Sequence, residues 1–402
     1  MNILFLSISS LPHLSEHSIS LDLIREFKKN GHNIFVVCAL EKREDKITYI
    51  NEECGCKVLR VRIGNNKKAG LFEKGLTTIF LPKYYKKAIR QNWSKEKFDL
   101  VIYPTPPVTQ VETVKFIKKK YGAKSYLLLK DIFPQNAVDL GMMSKKGLKS
   151  IIYKYFRRKE KALYRVSDYI GCMSKANVNY LIQHNNEIAR NKVEVCPNSI
   201  SIETNNVINN DRIDIRKKYG IPIDKKIFVY GGNLGKPQGI PFLIECLKSQ
   251  KNNDNVFFLI VGSGTEYEKL VDFMENEKQK NVKIMSSLPK NEYDKMVACC
   301  DVGMIFLDYR FTIPNFPSRL LAYMQVKIPV LAVTDSNTDI GKVVVEGGFG
   351  WKCESDNVQE FSNLINVIEN ENLSTMGENG YRYLQRNYSV EKAYSIIIKH
   401  FE

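Results

Sequence analysis

Two glycine-bearing turns sit in the middle of this chain, each at the end of an apolar run. Ile227-Phe228-Val229-Tyr230 leads into Gly231-Gly232-Asn233-Leu234-Gly235-Lys236, and Val256 to Val261 leads into Gly262-Ser263-Gly264 about thirty residues later. Apolar runs of this length read as strands buried on both faces. The glycines let backbone N–H groups approach an anion where the next helix starts. The pair predicts a nucleotide-binding α/β domain in the second half of the chain and leaves the first half for another task.

A chain of 402 residues is too long for one ordinary core, and two α/β units of roughly 200 residues fit best. The formal charge of +16 points to anionic partners: nucleic acid, acidic lipid or phosphorylated sugar. The opening Met1-Asn2-Ile3-Leu4-Phe5-Leu6 lacks a basic region and reads as a first strand, not a signal peptide. No stretch reaches the roughly 18–20 apolar residues that span a bilayer, so any expected membrane contact is peripheral. The nine cysteines are scattered through apolar runs, the pattern of reduced thiols in a cytoplasmic protein. Cys54-Gly55-Cys56 and Cys299-Cys300 lack metal-ligand spacing, so no metal is expected.

In the first half, strands expected at 2–8, 33–38, 57–62, 99–103, 125–129 and 168–173 alternate with amphipathic stretches such as 16–29 and 109–120. The second half repeats the alternation, with strands at 226–230, 256–261, 282–285, 302–306 and 328–333 separated by helices, the last of these at 316–326. Such alternation implies doubly wound, mainly parallel sheets. The expected division is an N-terminal domain over 1–203, a polar linker over 204–212 and a C-terminal domain over 213–402, its last helices candidates for crossing back. Two such domains facing one another would leave a cleft, the usual ligand position in these folds.

Pro317-Ser318-Arg319-Leu320 opens a helix after the strand Val302–Phe306 and offers a guanidinium suited to a diphosphate. The plainer reading is a capping serine followed by an exposed arginine. Taken in order, Gly231 to Ile240, Val261-Gly262-Ser263-Gly264, Asp301-Val302-Gly303 and Pro317 to Met324 with Pro329-Val330-Leu331-Ala332 resemble the retaining glycosyltransferases of family 4, which have the GT-B fold. Lys130-Asp131-Ile132-Phe133-Pro134 looks like their Asp-x-x-Pro element, and Cys196-Pro197-Asn198-Ser199 like their entrance to the linker. The resemblance is nearest to the subgroup that builds bacterial capsule and O-antigen units.

That resemblance implies two Rossmann-like domains and transfer of a sugar from a nucleotide diphosphate sugar, UDP-sugar favoured, to a polyprenyl-diphosphate-linked glycan. It implies no metal or other cofactor. On the donor side it assigns Gly231, Gly232, Asn233, Lys236, Gln238, Gly262, Gly264, Pro317, Ser318, Arg319 and Leu320. On the acceptor side it assigns Ser10, Pro12, His13 and Lys130, with Asp131 as the catalytic candidate orienting acceptor or donor sugar. A capping aspartate and a merely exposed loop histidine are the plainer readings of Asp131 and His13.

The chain departs from the family pattern at three places. The Glu-x7-Glu positions hold Pro314 and Ala322; the usual Arg and Lys near the phosphate turn fall at Asn233 and Gln238; and the first acceptor loop reads Ser9-Ser10-Leu11-Pro12-His13 in place of a Gly-Gly pair. Lys236 and Arg319 must then supply the positive charge.

Residues 144–166 place Leu148, Ile151, Ile152, Tyr155 and Ala162 near one helical face, with nine Lys or Arg against the single Glu160. Leu71-Phe72 through Leu76, Ile79-Phe80-Leu81 and Lys83-Tyr84-Tyr85-Lys86-Lys87 form a second aromatic and basic segment. Either suits the surface of an anionic membrane, which would hold the enzyme at the inner face of the cell membrane. A surface helix packing its apolar stripe on the sheet would give the same periodicity. The charge comes without any nucleic-acid-binding signature, so no nucleic acid partner is expected. A catalytically silent GT-B subunit and a sugar-nucleotide epimerase are the competing readings.

Overall fold

The computed structural model describes residues 1–65, 70–148, 150–202 and 209–402. It divides into two compact units, Met1–Ser201 with Val390–Glu402, and Ile202–Ser389.

The first unit is built on an eight-stranded sheet: β1 (Asn2–Leu6), β2 (Asn33–Glu41), β3 (Tyr49–Glu53), β4 (Cys56–Ile63), β5 (Leu100–Thr105), β6 (Lys124–Leu129), β7 (Tyr169–Cys172) and β8 (Val193–Val195). Their order is β3-β4-β2-β1-β5-β6-β7-β8, and β3 pairs antiparallel to β4 while the other pairs are parallel. Along β1 successive side chains enter opposite cores: Leu4 and Leu6 join one buried cluster, Ile3 and Phe5 the other. Burial on both faces is why the run is continuously apolar and not alternating.

The second unit holds a parallel six-stranded sheet of β9 (Lys226–Asn233), β10 (Val256–Ser263), β11 (Val282–Met285), β12 (Val302–Phe306), β13 (Val330–Thr334) and β14 (Gly350–Glu354). Their order is β11-β10-β9-β12-β13-β14. β9 is central, so its C-terminal end, carrying Gly231 and Gly232, lies where the strand order reverses, the ligand-binding position of open α/β sheets.

Both units pin their central strands with the same device. Asp99 precedes β5 and its Oδ2 accepts from the Asn2 backbone N–H of β1 at 2.7 Å. Asp301 precedes β12 and its Oδ2 accepts from the Ile227 N–H of β9 at 2.7 Å, with Arg216 Nη2 donating to the same oxygen at 2.8 Å. The Asp301-Val302-Gly303 motif therefore serves the end of the strand remote from the glycine turn.

The first strand stops at Leu6, short of the expected 8, and the first helix spans Ile19–Lys29, starting later than expected at 16. Ser18 sets that start: its side chain accepts from the Leu21 N–H at 3.3 Å. The helix expected at 316–326 likewise begins at Arg319, not 316. The strands β3, β8 and β14 were not anticipated. Residues 204–208 of the expected linker lie outside the described residues, and a helix, Asn209–Lys218, already begins within its last part. The final helix, Val390–Ile398, belongs to the first unit, where Val390, Ala393, Ile397 and Ile398 join the core on the Ile3 face.

Candidate functional site

The glycine turn after β9 and the one after β10 are locked together by backbone. The Leu234 N–H donates to Ser263 O at 2.9 Å, and the Glu266 N–H donates to Leu234 O at 2.9 Å. A methyl group on Gly262 would stand 2.0 Å from Gly232 O, and one on Gly264 would stand 2.2 Å from Leu234 O. Only glycine permits that approach. Gly232 has φ +118°, which side chains rarely adopt, and its exposed backbone faces Arg319, whose Nη2 would lie 3.5 Å from an added Cβ.

Arg319 is the first residue of the Arg319–Gln325 helix. Its guanidinium carbon stacks 4.2 Å over the Tyr230 ring. Its Nη1 is buried and has no hydrogen-bond partner among the described residues. Tyr230 is held in turn by its hydroxyl, which donates to Asn233 O at 2.8 Å. Tyr323 Oη accepts from the Gly231 N–H at 3.3 Å and lies 3.1 Å from Met304 O, while the Tyr293 phenol occupies the space a side chain on Gly231 would need. Three tyrosines thus fix the strand end and the arginine, leaving one guanidinium nitrogen to be satisfied by something else.

Around this centre the other residues named from the sequence divide. Gln238 Oε1 accepts from Asn233 Nδ2 at 2.7 Å and from the Gly235 N–H at 3.2 Å, so Asn233 and Gln238 brace the turn. Lys236 is exposed and has no ion-pair partner among the described residues. Ser318 is exposed and makes no capping bond with its side chain, so the capping reading does not describe it; Pro317 beside it is half-buried. Leu320 is a core residue, fully buried, with its N–H directed to Pro317 O at 3.3 Å, and it has nothing to offer a ligand. Where a family glutamate is missing, Pro314 is buried and Ala322 half-buried. The nearby Asp335 carboxyl is already used, accepting from Asn337 N–H, Thr338 N–H and Thr338 Oγ1 at 2.9, 3.0 and 2.9 Å, and burial pushes it up to about 6.

In the first unit the residues named as acceptor-side lie past the C-terminal ends of β1 and β6, two strands either side of β5. The loop after β1 is anchored by a buried ion pair: Arg60 Nη2 donates to Glu53 Oε1 at 2.6 Å, Arg60 Nη1 to Leu11 O at 2.6 Å, and the Leu14 N–H to Glu53 Oε2 at 2.9 Å. That anchoring leaves Pro12 and His13 exposed and Ser10 half-buried. His13 Nδ1 is 2.8 Å from Ser15 Oγ, a bond within its own turn. Lys130 and Asp131 follow β6. Asn136 Nδ2 donates to Asp131 Oδ2 at 2.8 Å, and Thr105 Oγ1 to Asp131 O at 3.2 Å. Asp131 caps no helix through the hydrogen bonds seen. Burial pushes the Asp131 carboxyl up to about 6 and the Lys130 ammonium down to about 8. Lys130 has no ion-pair partner among the described residues.

Among the described residues no group of three His, Cys, Asp or Glu side chains is arranged to hold a metal, and no helix is long and apolar enough to cross a membrane. The nine cysteines are free thiols, eight of them buried. Tyr230, Tyr293, Tyr323, Arg60 and Glu53 escaped the sequence reading because each looks like an ordinary strand or helix residue until the fold brings it to the site.

Two family models match the chain: Glycosyltransferase Family 4 over residues 19–204 and Glycosyl transferases group 1 over residues 211–383. A curated relative, "Probable glycosyltransferase WbjE" of Pseudomonas aeruginosa, is 25% identical over 342 residues, 85% of this chain and 81% of that protein. Among solved structures, HepE of Anabaena in complex with UDP-glucose has a TM-score of 0.72 at 16% identity, covering 100% of this chain and 99% of that one. WaaG, a glycosyltransferase involved in lipopolysaccharide biosynthesis, has a TM-score of 0.67 at 14% identity, covering 98% and 99%. With one model on each half and the fold of these structures throughout, the chain belongs to glycosyltransferase family 4, has the GT-B fold and is a glycosyltransferase.

Proposed function

We propose that the second unit binds a nucleotide diphosphate sugar, UDP-sugar favoured, and that the enzyme transfers the sugar with retention to a lipid-linked oligosaccharide in surface polysaccharide synthesis. The observation that carries the donor half is Arg319 itself: its Nη1 is buried and unpartnered among the described residues, and its Nη2 lies beside the exposed backbone of Gly232. A diphosphate would satisfy both the guanidinium and the turn, and Lys236 would add a second, mobile positive charge. Arg319 is held in place by Tyr230 before any ligand arrives, so charge developing on the leaving diphosphate meets a dipole that need not reorganise. In this reading basic side chains do the work a metal does elsewhere.

On the acceptor side, Ser10, Pro12, His13 and Lys130 receive the glycan, and Asp131 orients the reacting hydroxyl or the donor sugar. Lys130 is suited to a phosphate of the acceptor. HepE, solved with UDP-glucose, and WaaG, of lipopolysaccharide biosynthesis, support the donor and the pathway respectively. The free thiols suit a reducing cytoplasm. A catalytically silent subunit is the second reading, favoured by Pro314 and Ala322 at the glutamate positions.

A thermal-shift screen against UDP, GDP, dTDP and CMP separates the two, because a ligand bound only by the folded state raises the melting temperature. The proposal expects a clear shift with one diphosphate, UDP first. No shift at millimolar ligand favours the silent subunit. Product analysis with the sugar nucleotide that binds then distinguishes transfer from epimerisation.

A further inference from the structure

The two basic, apolar segments of the first unit each turn apolar side chains away from the core as well as into it. The Ser150–Val166 helix packs Phe156, Leu163 and Tyr164 into the core. Of the apolar residues that periodicity places near one helical face, Ala162 packs against that core and the others face outward: Leu148, just before the helix, is 87% exposed, Ile151 65%, Ile152 55% and Tyr155 37%. The Leu71–Asn92 helix repeats this. It buries Leu81, Tyr85, Ala88 and Ile89 in the same core cluster, and turns Leu76, Ile79, Phe80 and Tyr84 outward, each 41–47% exposed. An ordinary surface helix has one apolar stripe, and this one has two. Among the described residues, nine of the seventeen exposed large apolar side chains fall within 76–84 and 142–155, so they are gathered and not scattered.

Both helices lie on one face of the sheet and flank the same segment. Thr109 Oγ1 donates to Thr78 O of one helix at 2.8 Å, and Lys159 of the other pairs with Glu112 at 2.8 Å. The outward stripes are continued by Lys83 and Lys87 on the first helix and by Lys154 and Arg158 on the second, all exposed and without ion-pair partners among the described residues. The first helix also touches the acceptor-side loop, since the Tyr85 hydroxyl donates to Ser7 O.

We propose that these two stripes form a membrane-docking face that inserts its aliphatic and aromatic side chains into the interface of a bilayer containing anionic lipid. Charge complementarity selects this occupant. Two copies of so basic a face would repel one another, whereas an anionic surface neutralises the lysines while the apolar side chains leave water. The proposal deepens the reading of a lipid-linked acceptor, and its test measures binding without activity, so either can fail while the other stands.

The experiment is co-sedimentation with phosphatidylcholine vesicles and with mixed phosphatidylcholine–phosphatidylglycerol vesicles, at low and high salt. The wild type should pellet with the mixed vesicles and stay in solution with phosphatidylcholine alone. Ile79→Glu/Phe80→Glu and Ile151→Glu/Ile152→Glu should each lower the partition coefficient by about tenfold or more, and Lys83→Glu/Lys87→Glu should do the same at low salt. All substituted positions are exposed, so unchanged melting curves are expected and identify loss of docking as the cause. The proposal is overturned if wild type ignores anionic vesicles, or if the variants bind as wild type does. It is also overturned if light scattering finds a wild-type dimer that the apolar variants dissolve, which would make the face a contact between copies.

Discussion

Arg319 and the Lys130-Asp131 pair show how differently a residue's role is written into a chain. Lys130 and Asp131 lie within a short contiguous motif and were picked out from it, as was Arg319 from Pro317-Ser318-Arg319. What makes Arg319 a fixed donor is not contiguous: Tyr230 comes from a strand and Tyr323 from a helix, each reading as core in its own apolar context, and Tyr293 comes from a second helix, where its neighbours are charged. Leu320, in the same motif, proved to be core. Lys130 and Asp131, proposed for the acceptor side, carry a pH prediction. With the Asp131 carboxyl raised to about 6 and the Lys130 ammonium lowered to about 8, both are charged only between those values. If both act in their charged forms, kcat/KM falls on the acid side as Asp131 gains a proton and on the alkaline side as Lys130 loses one. Lys130→Arg should move the alkaline limb upward by more than one pH unit, because a guanidinium keeps its proton throughout; an unmoved limb would assign the loss to another group.

At the scale of elements, the two glycine turns act as one part. Gly262→Ala would press a methyl group against Gly232 O and force apart the turns that Leu234 joins. We expect a loss of about 1–3 kcal/mol of stability and a weakened response to the donor nucleotide. Gly70→Ala, where no atom lies within 4 Å of the added carbon and φ is −65°, should change neither by more than about 0.5 kcal/mol. Melting curves with and without nucleotide read both. The strands that flank these turns were legible because burial on both faces makes them uninterrupted apolar runs. The strands β3, β8 and β14 were not, because edge strands are half-solvated: Tyr49-Ile50-Asn51-Glu52-Glu53 and Gly350-Trp351-Lys352-Cys353-Glu354 carry the polar residues that position demands. Periodicity at 144–166 announced a helix, found at Ser150–Val166, and left open whether its apolar stripe meets the sheet or faces outward, since an amphipathic pattern does not say which of two apolar stripes meets the core.

For the whole molecule, the same limit applies to the last helix. The sequence shows Val390–Ile398 to be apolar on one side, but which core receives that side depends on partners hundreds of residues away. In the structure Tyr394 packs edge-on against Phe27 at 4.8 Å, its hydroxyl lies 3.0 Å from His32 Nε2, and His400 stacks on Tyr169 at 3.8 Å. The C-terminal segment therefore completes the first unit. Ile397→Ala, at a fully buried position, should cost about 2–5 kcal/mol in unfolding experiments that report on that unit. A cost under about 1 kcal/mol would mean the helix is not part of that core. In the second unit, Arg319 and the glycine turn are proposed to hold a nucleoside diphosphate. Calorimetric titration of UDP and of uridine into wild type and Arg319→Gln tests it most directly. The account predicts that the substitution weakens UDP by about tenfold or more, as loss of a charge-assisted hydrogen bond to a buried group requires, and leaves uridine and the melting temperature unchanged. Equal binding of UDP by both proteins, or an equal loss for uridine, would contradict it.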